Sequence, residues 1–577
     1  MRFLGLVLLA ACASETPPSG GGAPVPVAPA PPVLPVLAVD APPRAAFLGA
    51  GPVEVAGRGV AGDAPLTRLT VNGVEQPLGA DGSFAAAQPL GPGLHIFGVR
   101  LEDAAGERAV DGRAVIVGEV REPGVSIPGA AWVQLGPALL DDDAPDRDDV
   151  AGIAEAVLAD PALAGALVGV PLPTSMAVIT PTAASWGAVA VDLVPGDGVL
   201  AAELSLAGLQ VDVDVDDIIG YEWLSTTATA WADAVELSLV LQPAGGARVE
   251  VTEVEAAVDG FAVAVDWFPD FLEDDLAIWL EDSVQQAIVD EAGPRVAALL
   301  SDFLAGFAVD TTFETGISLS AEVAEVALAP EGLRFSVDVA FSGPVGIALP
   351  VGAGSLRTPG PAPAFPAGAP FTVLADDDTV NQLLFAFWAS GAMSGLRFDE
   401  AGLIALAGAN LPPPLGPVQA LSLDLGLPPV LSPPTVAGQD ADLSLGELRI
   451  GFLRTDGAET DVSASVRTGG RVGFDAAGAL ALSLDQRPAQ MVLEVGVVQS
   501  PPGLDPGDLA ALVRLLVPPL LAGAGAALPA FEAPTVDLGA VSGLDALAGV
   551  ELGLASPALR VDAGGWIVLE GDFVPVD

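Results

Sequence analysis

The chain has 577 residues, enough for several domains that each bury a core. It is 51% hydrophobic with a mean hydropathy of +0.55, yet 75 Asp and Glu stand against 21 cations, all arginine, for a net charge of -54. So acidic a surface repels phosphate backbones, and no basic patch interrupts it, which excludes nucleic acid as a partner.

Residues 1–12 read as a secretory signal: Arg2, an apolar run from Phe3 to Leu9, the small residues Ala10 and Ala11, then Cys12, the only cysteine of the chain. The string LAAC resembles a bacterial lipobox. That resemblance implies that Cys12 is lipidated and becomes the mature N-terminus. Ala13 and Ser14, where an aspartate would mark inner-membrane retention, then imply an outer-membrane lipoprotein of the bacterial cell envelope, periplasmic or surface-exposed.

Residues 13–38 are mostly Pro, Ala, Gly, Ser and Val, a composition that buries no core and predicts an extended tether. Residues 39–120 carry Asn72-Gly73 and Asp81-Gly82 between short alternating runs, which predicts β-hairpins. The pattern NGV, DGSF, DAAG resembles bacterial Ig-like modules and implies a small all-β sandwich acting as a spacer or a recognition module.

Residues 121–356 open with the acidic run Asp141 to Asp149 ahead of a helical pattern. Strict alternation follows at Leu209, Val211, Val213 and Val215, then at Val235, Leu237, Leu239 and Leu241, each run predicting a strand with one apolar face. From about 270 to 307 the period changes to that of a long amphipathic helix. Leu276, Trp279, Leu280 and Val284 lie in its first part, and Val296, Leu300, Phe303, Leu304 and Phe307 form a stripe in its second. Residues 357–370, RTPGPAPAFPAGAP, read as a Pro-rich linker.

Residues 371–577 repeat the plan. Three aspartates, Asp376 to Asp378, precede a helix with Leu383, Leu384, Phe387 and Trp388 on a wide apolar face and Asn381, Gln382 and Ser390 on a polar one. Alternating strands follow, and then a second helix from about 505 to 531 that Arg514 and Pro518-Pro519 argue against as a membrane span. A membrane barrel is disfavoured too, since its aromatic girdles are missing and Tyr221 is the only tyrosine.

This plan is similar to that of the tubular lipid-binding proteins, the family of bactericidal/permeability-increasing protein. The family's second barrel opens with a helix of the form L.D…N.LL.A.W..G, which Leu374, Asp376, Asn381, Leu383, Leu384, Trp388 and Gly391 match. The resemblance covers roughly 121 to 577 and implies an α+β fold of two elongated barrels, each a twisted antiparallel sheet wrapped around long helices. It further implies a hydrophobic lipid ligand in an apolar slot, for which Leu276, Trp279, Leu280, Val284, Leu300, Phe303, Leu304, Leu383, Leu384, Phe387 and Trp388 are the candidate lining. The chain departs from the family in having no second cysteine for a disulfide and no basic tips, which tells against lipopolysaccharide neutralisation. A buried methylene is worth about 0.8 kcal/mol, so an acyl chain of roughly sixteen carbons offers on the order of 10 kcal/mol without polar chemistry.

Catalysis is poorly supplied. His95 is the only histidine and sits in the Ig-like unit, lysine is absent, and triad, Cys–His and Schiff-base mechanisms lack their residues in the large domains. No enzyme, cofactor or catalytic residue is expected. The run Asp141 to Asp149 lacks the alternating ligands and glycine of an EF-hand loop and is read as a solvated helix cap rather than a Ca²⁺ site, as is Asp376 to Asp378. The expectation is non-enzymatic binding and transfer of a phospholipid or other acyl lipid, with membrane attachment through the N-terminal anchor. The alternative is a surface-anchored structural or adhesion protein with solid barrels, in which the Ig-like module recognises the partner.

Overall fold

The computed structural model describes, with short gaps, residues 33–265, 296–399, 418–499 and 551–575, and shorter pieces between them. The signal, Cys12, Leu276, Trp279, Leu280, Val284 and much of the linker lie outside the described residues.

Residues 36–117 form two sheets that share one core. The first has strands Val36–Ala41, Val53–Val60 and Ser83–Gln88; the second is built around Gly93–Asp103 and Arg108–Val117. Their alternating faces bring Val55, Leu69, Phe97, Val99, Leu101 and Val115 together. The first strand starts ahead of the expected boundary at Val39. Asn72 and Gly73 both take positive φ, +50° and +79°, closing Leu66–Val71 onto Val74–Gln76 as the dipeptide predicts. Gly82 allows a close approach, since a Cβ there would lie 2.0 Å from the Gly59 carbonyl oxygen.

The expected pair of barrels wrapped around long helices is not what forms. The chain is mostly strand, arranged in several sheets, and the fully described helices are short: Pro137–Leu140, Val150–Leu158 and Asp377–Ala389. Strands, by contrast, reach 17 residues in Leu200–Asp216 and 20 in Thr226–Gly245. The physical reason is that a period of two fixes which strand face is apolar but not what covers it. Here Leu237, Leu239 and Leu241 share a core with Val326, Leu328 and Phe335 of another sheet, so sheet covers sheet over much of the area.

One eight-stranded sheet takes strands from both halves. Its middle is Gly332–Ser342, Ile127–Leu135, Phe371–Ala375 and Ile567–Pro575, each antiparallel to the next. Phe371–Ala375 runs directly into the helix Asp377–Ala389, so this helix leaves the centre of the molecule's joining sheet. A second eight-stranded sheet contains Val418–Leu425, Ala441–Arg454, Glu459–Phe474 and Ala479–Leu484. Its core includes Leu509, Ala510, Val513, Leu516 and Val517, at the helical spacing expected of the last helix.

Candidate functional site

The helix Asp377–Ala389 is used on all sides. Leu383 and Phe387 are half-buried against the core of the first half, and Ala386 is buried in it. Phe385, Trp388 and Ala389 face Phe47, Ile347, Leu349 and Leu425 instead. Leu384 is half-buried. Trp388 is 1% exposed and its Nε1 donates to the Leu425 carbonyl at 2.8 Å. The side expected to be wet is not: Asn381 and Gln382 are buried. Asn381 donates to the Leu431 carbonyl at 3.0 Å and accepts from the Leu431 N–H at 2.7 Å, while Gln382 accepts from Phe341 N–H and donates to the Val125 carbonyl. Each amide satisfies backbone groups that strand pairing leaves over, and the helix serves as a joint between the halves.

The remaining described candidates lie in the first half. Leu304 is fully buried, whereas Leu300 and Phe303, with Val296 and Phe307, stay half-buried against the same core. Phe303 and Phe307 meet edge to face at 5.3 Å, and Phe307 lies 4.8 Å from Phe335. Leu204, Val251, Val254 and Ala256 of the sheet are likewise only partly buried on this core. Ser301 ties this helical stretch to the sheet by accepting from Val249 N–H at 3.1 Å, and Gln285 Nε2 donates to the Ala256 carbonyl. The seam therefore has apolar walls on both sides that pack only in part.

Beside the seam opens a cleft of about 650 Å³. Its lining includes Leu204, Leu237 and Ala256 together with the acidic residues Asp141, Asp143, Glu155, Asp192, Glu203, Glu236 and Glu255. Burial, followed by the neighbouring Asp141 carboxyl, pushes the Asp192 carboxyl above the usual range. Part of the acidic run is committed to backbone donors. Asp149 accepts from Gly152 N–H to cap Val150–Leu158, Asp141 accepts from Leu193 N–H at 2.9 Å, and Glu155 accepts from Val191 N–H at 2.9 Å. The last two shield the edge of the strand Val189–Pro195 from further pairing.

Asp376 to Asp378 depart from the solvated cap that the sequence suggested. Asp376 does cap the helix, accepting from Asp378 N–H at 3.2 Å, but Asp377 and Asp378 are only 2% and 4% exposed. Thr358 Oγ1 lies 2.8 Å from Oδ1 of each, and Thr358 N–H donates to Asp378 at 2.7 Å. Burial, reinforced by the adjacent Asp376 carboxyl, pushes the Asp377 carboxyl up to about 8.

Sequence reasoning missed how firmly the N-terminal module is held. Glu447, 1% exposed, accepts from Ala114 N–H at 2.8 Å, from Arg44 Nη1 at 3.1 Å and from Ser463 Oγ at 2.6 Å. Arg44 also pairs with Asp111 and donates to the Gly112 carbonyl. Leu94, Ala114 and Ile116 of the module share an apolar cluster with Leu427 and Val430. Gly112 makes the contact possible, since a Cβ would fall 2.7 Å from Val495 N. The signal in the sequence was Gly446-Glu447 breaking the alternation of LSLGELRI, where the pairing register slips between Leu445 and Leu448.

No family model matches the chain, and no curated protein matches it. Among solved structures it is similar to lipopolysaccharide binding protein at 13% identity and TM-score 0.40, covering 79% of this chain and 100% of that one. It is also similar to P47 of Clostridium botulinum E1 at 8% identity and TM-score 0.29, covering 77% and 98% respectively. Fibronectin(III)-like modules of Clostridium thermocellum CbhA follow at 12% identity and TM-score 0.14, covering 40% and 92%. These scores are low, and what the chain does is argued from its own residues.

Proposed function

We propose that the protein binds a hydrophobic ligand, a phospholipid or other acyl lipid, and carries it at the bacterial cell envelope without catalysing a reaction. The observation that carries this reading is the first-half seam, where Leu300, Phe303 and Phe307 of the helical stretch and Leu204, Val251 and Val254 of the sheet pack on one core and all stay only partly buried. An acyl chain laid there replaces water on both walls. The many acidic residues lining the cleft disfavour an anionic headgroup, so a zwitterionic, neutral or cationic head is the fitting class. Attachment through Cys12 to the outer membrane would keep such a carrier at the surface it serves.

A second reading has its own support. In the second-half core Ile450, Phe452, Val462, Val513 and Val517 are essentially without exposure, and the N-terminal module is clamped to that half through Glu447. Those features suit a structural or adhesion protein. Lipid extraction and native mass spectrometry on the chain carrying Cys12→Ser, which cannot be acylated, separate the two. Stoichiometric non-covalent lipid supports the carrier, and an empty chain that takes up no added phospholipid supports the structural role.

A further inference from the structure

The cluster Asp376, Asp377, Asp378 presents one oxygen from each carboxylate within 4.8 Å of the others. Acids at a helix start are ordinary, because the peptide dipoles and free N–H groups there favour negative charge. Two features are not ordinary. Asp377 and Asp378 are almost without solvent, and Asp377 Oδ2, fully buried, has no hydrogen-bond partner among the described residues. The Asp377 carboxyl also lies within hydrogen-bonding reach of the Asp376 carboxyl, so two acceptor groups face each other.

The hairpin that connects the last two strands presses on this point. Gly565, at φ +89°, lies so near that a Cβ would stand 2.7 Å from Asp377 Oδ2, which excludes any side chain there. The turn is fixed by Trp566 N–H donating to Asp562 Oδ1 at 2.9 Å and by Gly565 N–H donating to the Asp562 carbonyl. Thr358 provides a single hydroxyl proton between two carboxylates, and Arg121, which gives an Nη1–H to the Ser126 carbonyl, also lends positive charge to Asp376 and Asp378. Three carboxylates thus share the positive charge of Arg121 in a site where their own charge is poorly solvated.

We propose that Asp376, Asp377 and Asp378 bind a divalent cation, Ca²⁺, which ties the start of the joining helix to the hairpin at Gly565. Three carboxylate oxygens within 4.8 Å of one another can meet at one cation, and the irregular all-oxygen shell of a helix start and a hairpin suits Ca²⁺, which tolerates flexible geometry, better than Mg²⁺, which demands a near-ideal octahedron. Asp376 is only half-buried and gives the ion its way in from solvent, with water completing the shell.

The test uses the purified chain stripped with EDTA and titrated with Tb³⁺, which replaces Ca²⁺ and emits when excited through a nearby indole. Trp566 follows Gly565 directly, and Trp132 shares its cluster. Sensitised emission that Ca²⁺ displaces is expected in the native chain, with at least about a tenfold loss of affinity in Asp377→Asn and none in Asp141→Asn. Ca²⁺ should raise the melting temperature of the native chain but not of Asp377→Asn, which without Ca²⁺ should melt no lower than the native chain. If Asp377→Asn fails to fold, Asp376→Asn is measured in its place. Equal emission and equal Ca²⁺ response in native and variant chains would mean ions on the acidic surface only. No sensitised emission in the native chain would mean that no ion binds there. Either result overturns the proposal.

Discussion

Trp388→Ala decides whether the joining helix is structure or ligand wall. The indole is 1% exposed, lies 6.4 Å from Phe47 and 5.5 Å from Phe385, and donates to the Leu425 carbonyl. Removing a buried Trp side chain costs about 3–5 kcal/mol through lost burial and the cavity left behind. The Leu425 carbonyl also loses its donor, which adds about 1 kcal/mol. The sum is about 4–6 kcal/mol. Trp388→Phe keeps most of the ring and loses the hydrogen bond, so about 1–2 kcal/mol is expected. Urea unfolding followed by circular dichroism reads both, and because the chain has several cores the relevant figure is the midpoint of the transition that the substitution moves. A loss below about 1 kcal/mol in Trp388→Ala would refute the assignment to core. So would a stable variant stripped of its lipid.

Other outcomes follow from the same contacts. Arg44→Ala leaves Glu447 buried without its cation and should destabilise the module's attachment by about 3–5 kcal/mol, seen as faster proteolysis between the module and the rest of the chain. Leu300→Ser with Phe303→Ser should lower bound lipid severalfold while leaving the midpoint of the second-half transition unchanged, because those residues belong to the first core alone. His95 is held below its usual value of 6.5, chiefly by burial. The unfolded chain therefore binds that proton more readily, and stability is lost as the pH falls from 6.5 through the lower folded value. His95→Gln should remove that part of the acid sensitivity, measured as the melting temperature between pH 7 and pH 5 on the scale set by the histidine titration, roughly pH 5–8.

The strands were legible because alternation records one wet and one dry face. Leu209 to Val215 and Val235 to Leu241 fall inside the observed strands, and Asn72-Gly73 closes its hairpin. What covers a dry face is not written in its period. The inner face at Leu237 to Leu241 meets another sheet as well as helical residues, so the expectation of barrels around long helices failed. The polar face assigned to the joining helix failed for a related reason. Asn381 and Gln382 look solvated in sequence, yet each completes backbone hydrogen bonds at a buried junction that only the fold reveals. Asp376 to Asp378 read equally well as an exposed cap until the hairpin at Gly565 closes over them. For Glu447 the break at Gly446-Glu447 marks a bulge, but not its partners Arg44 and Ala114, which are more than three hundred residues away in the chain.

The most direct test of the carrier reading is native mass spectrometry on the Cys12→Ser chain, with the extracted lipid identified and the measurement repeated on Leu300→Ser with Phe303→Ser. Bound zwitterionic or neutral acyl lipid in the first and its loss in the second is the predicted result. A chain that stays empty after incubation with phosphatidylethanolamine vesicles, or one whose lipid is untouched by the double substitution, would contradict it.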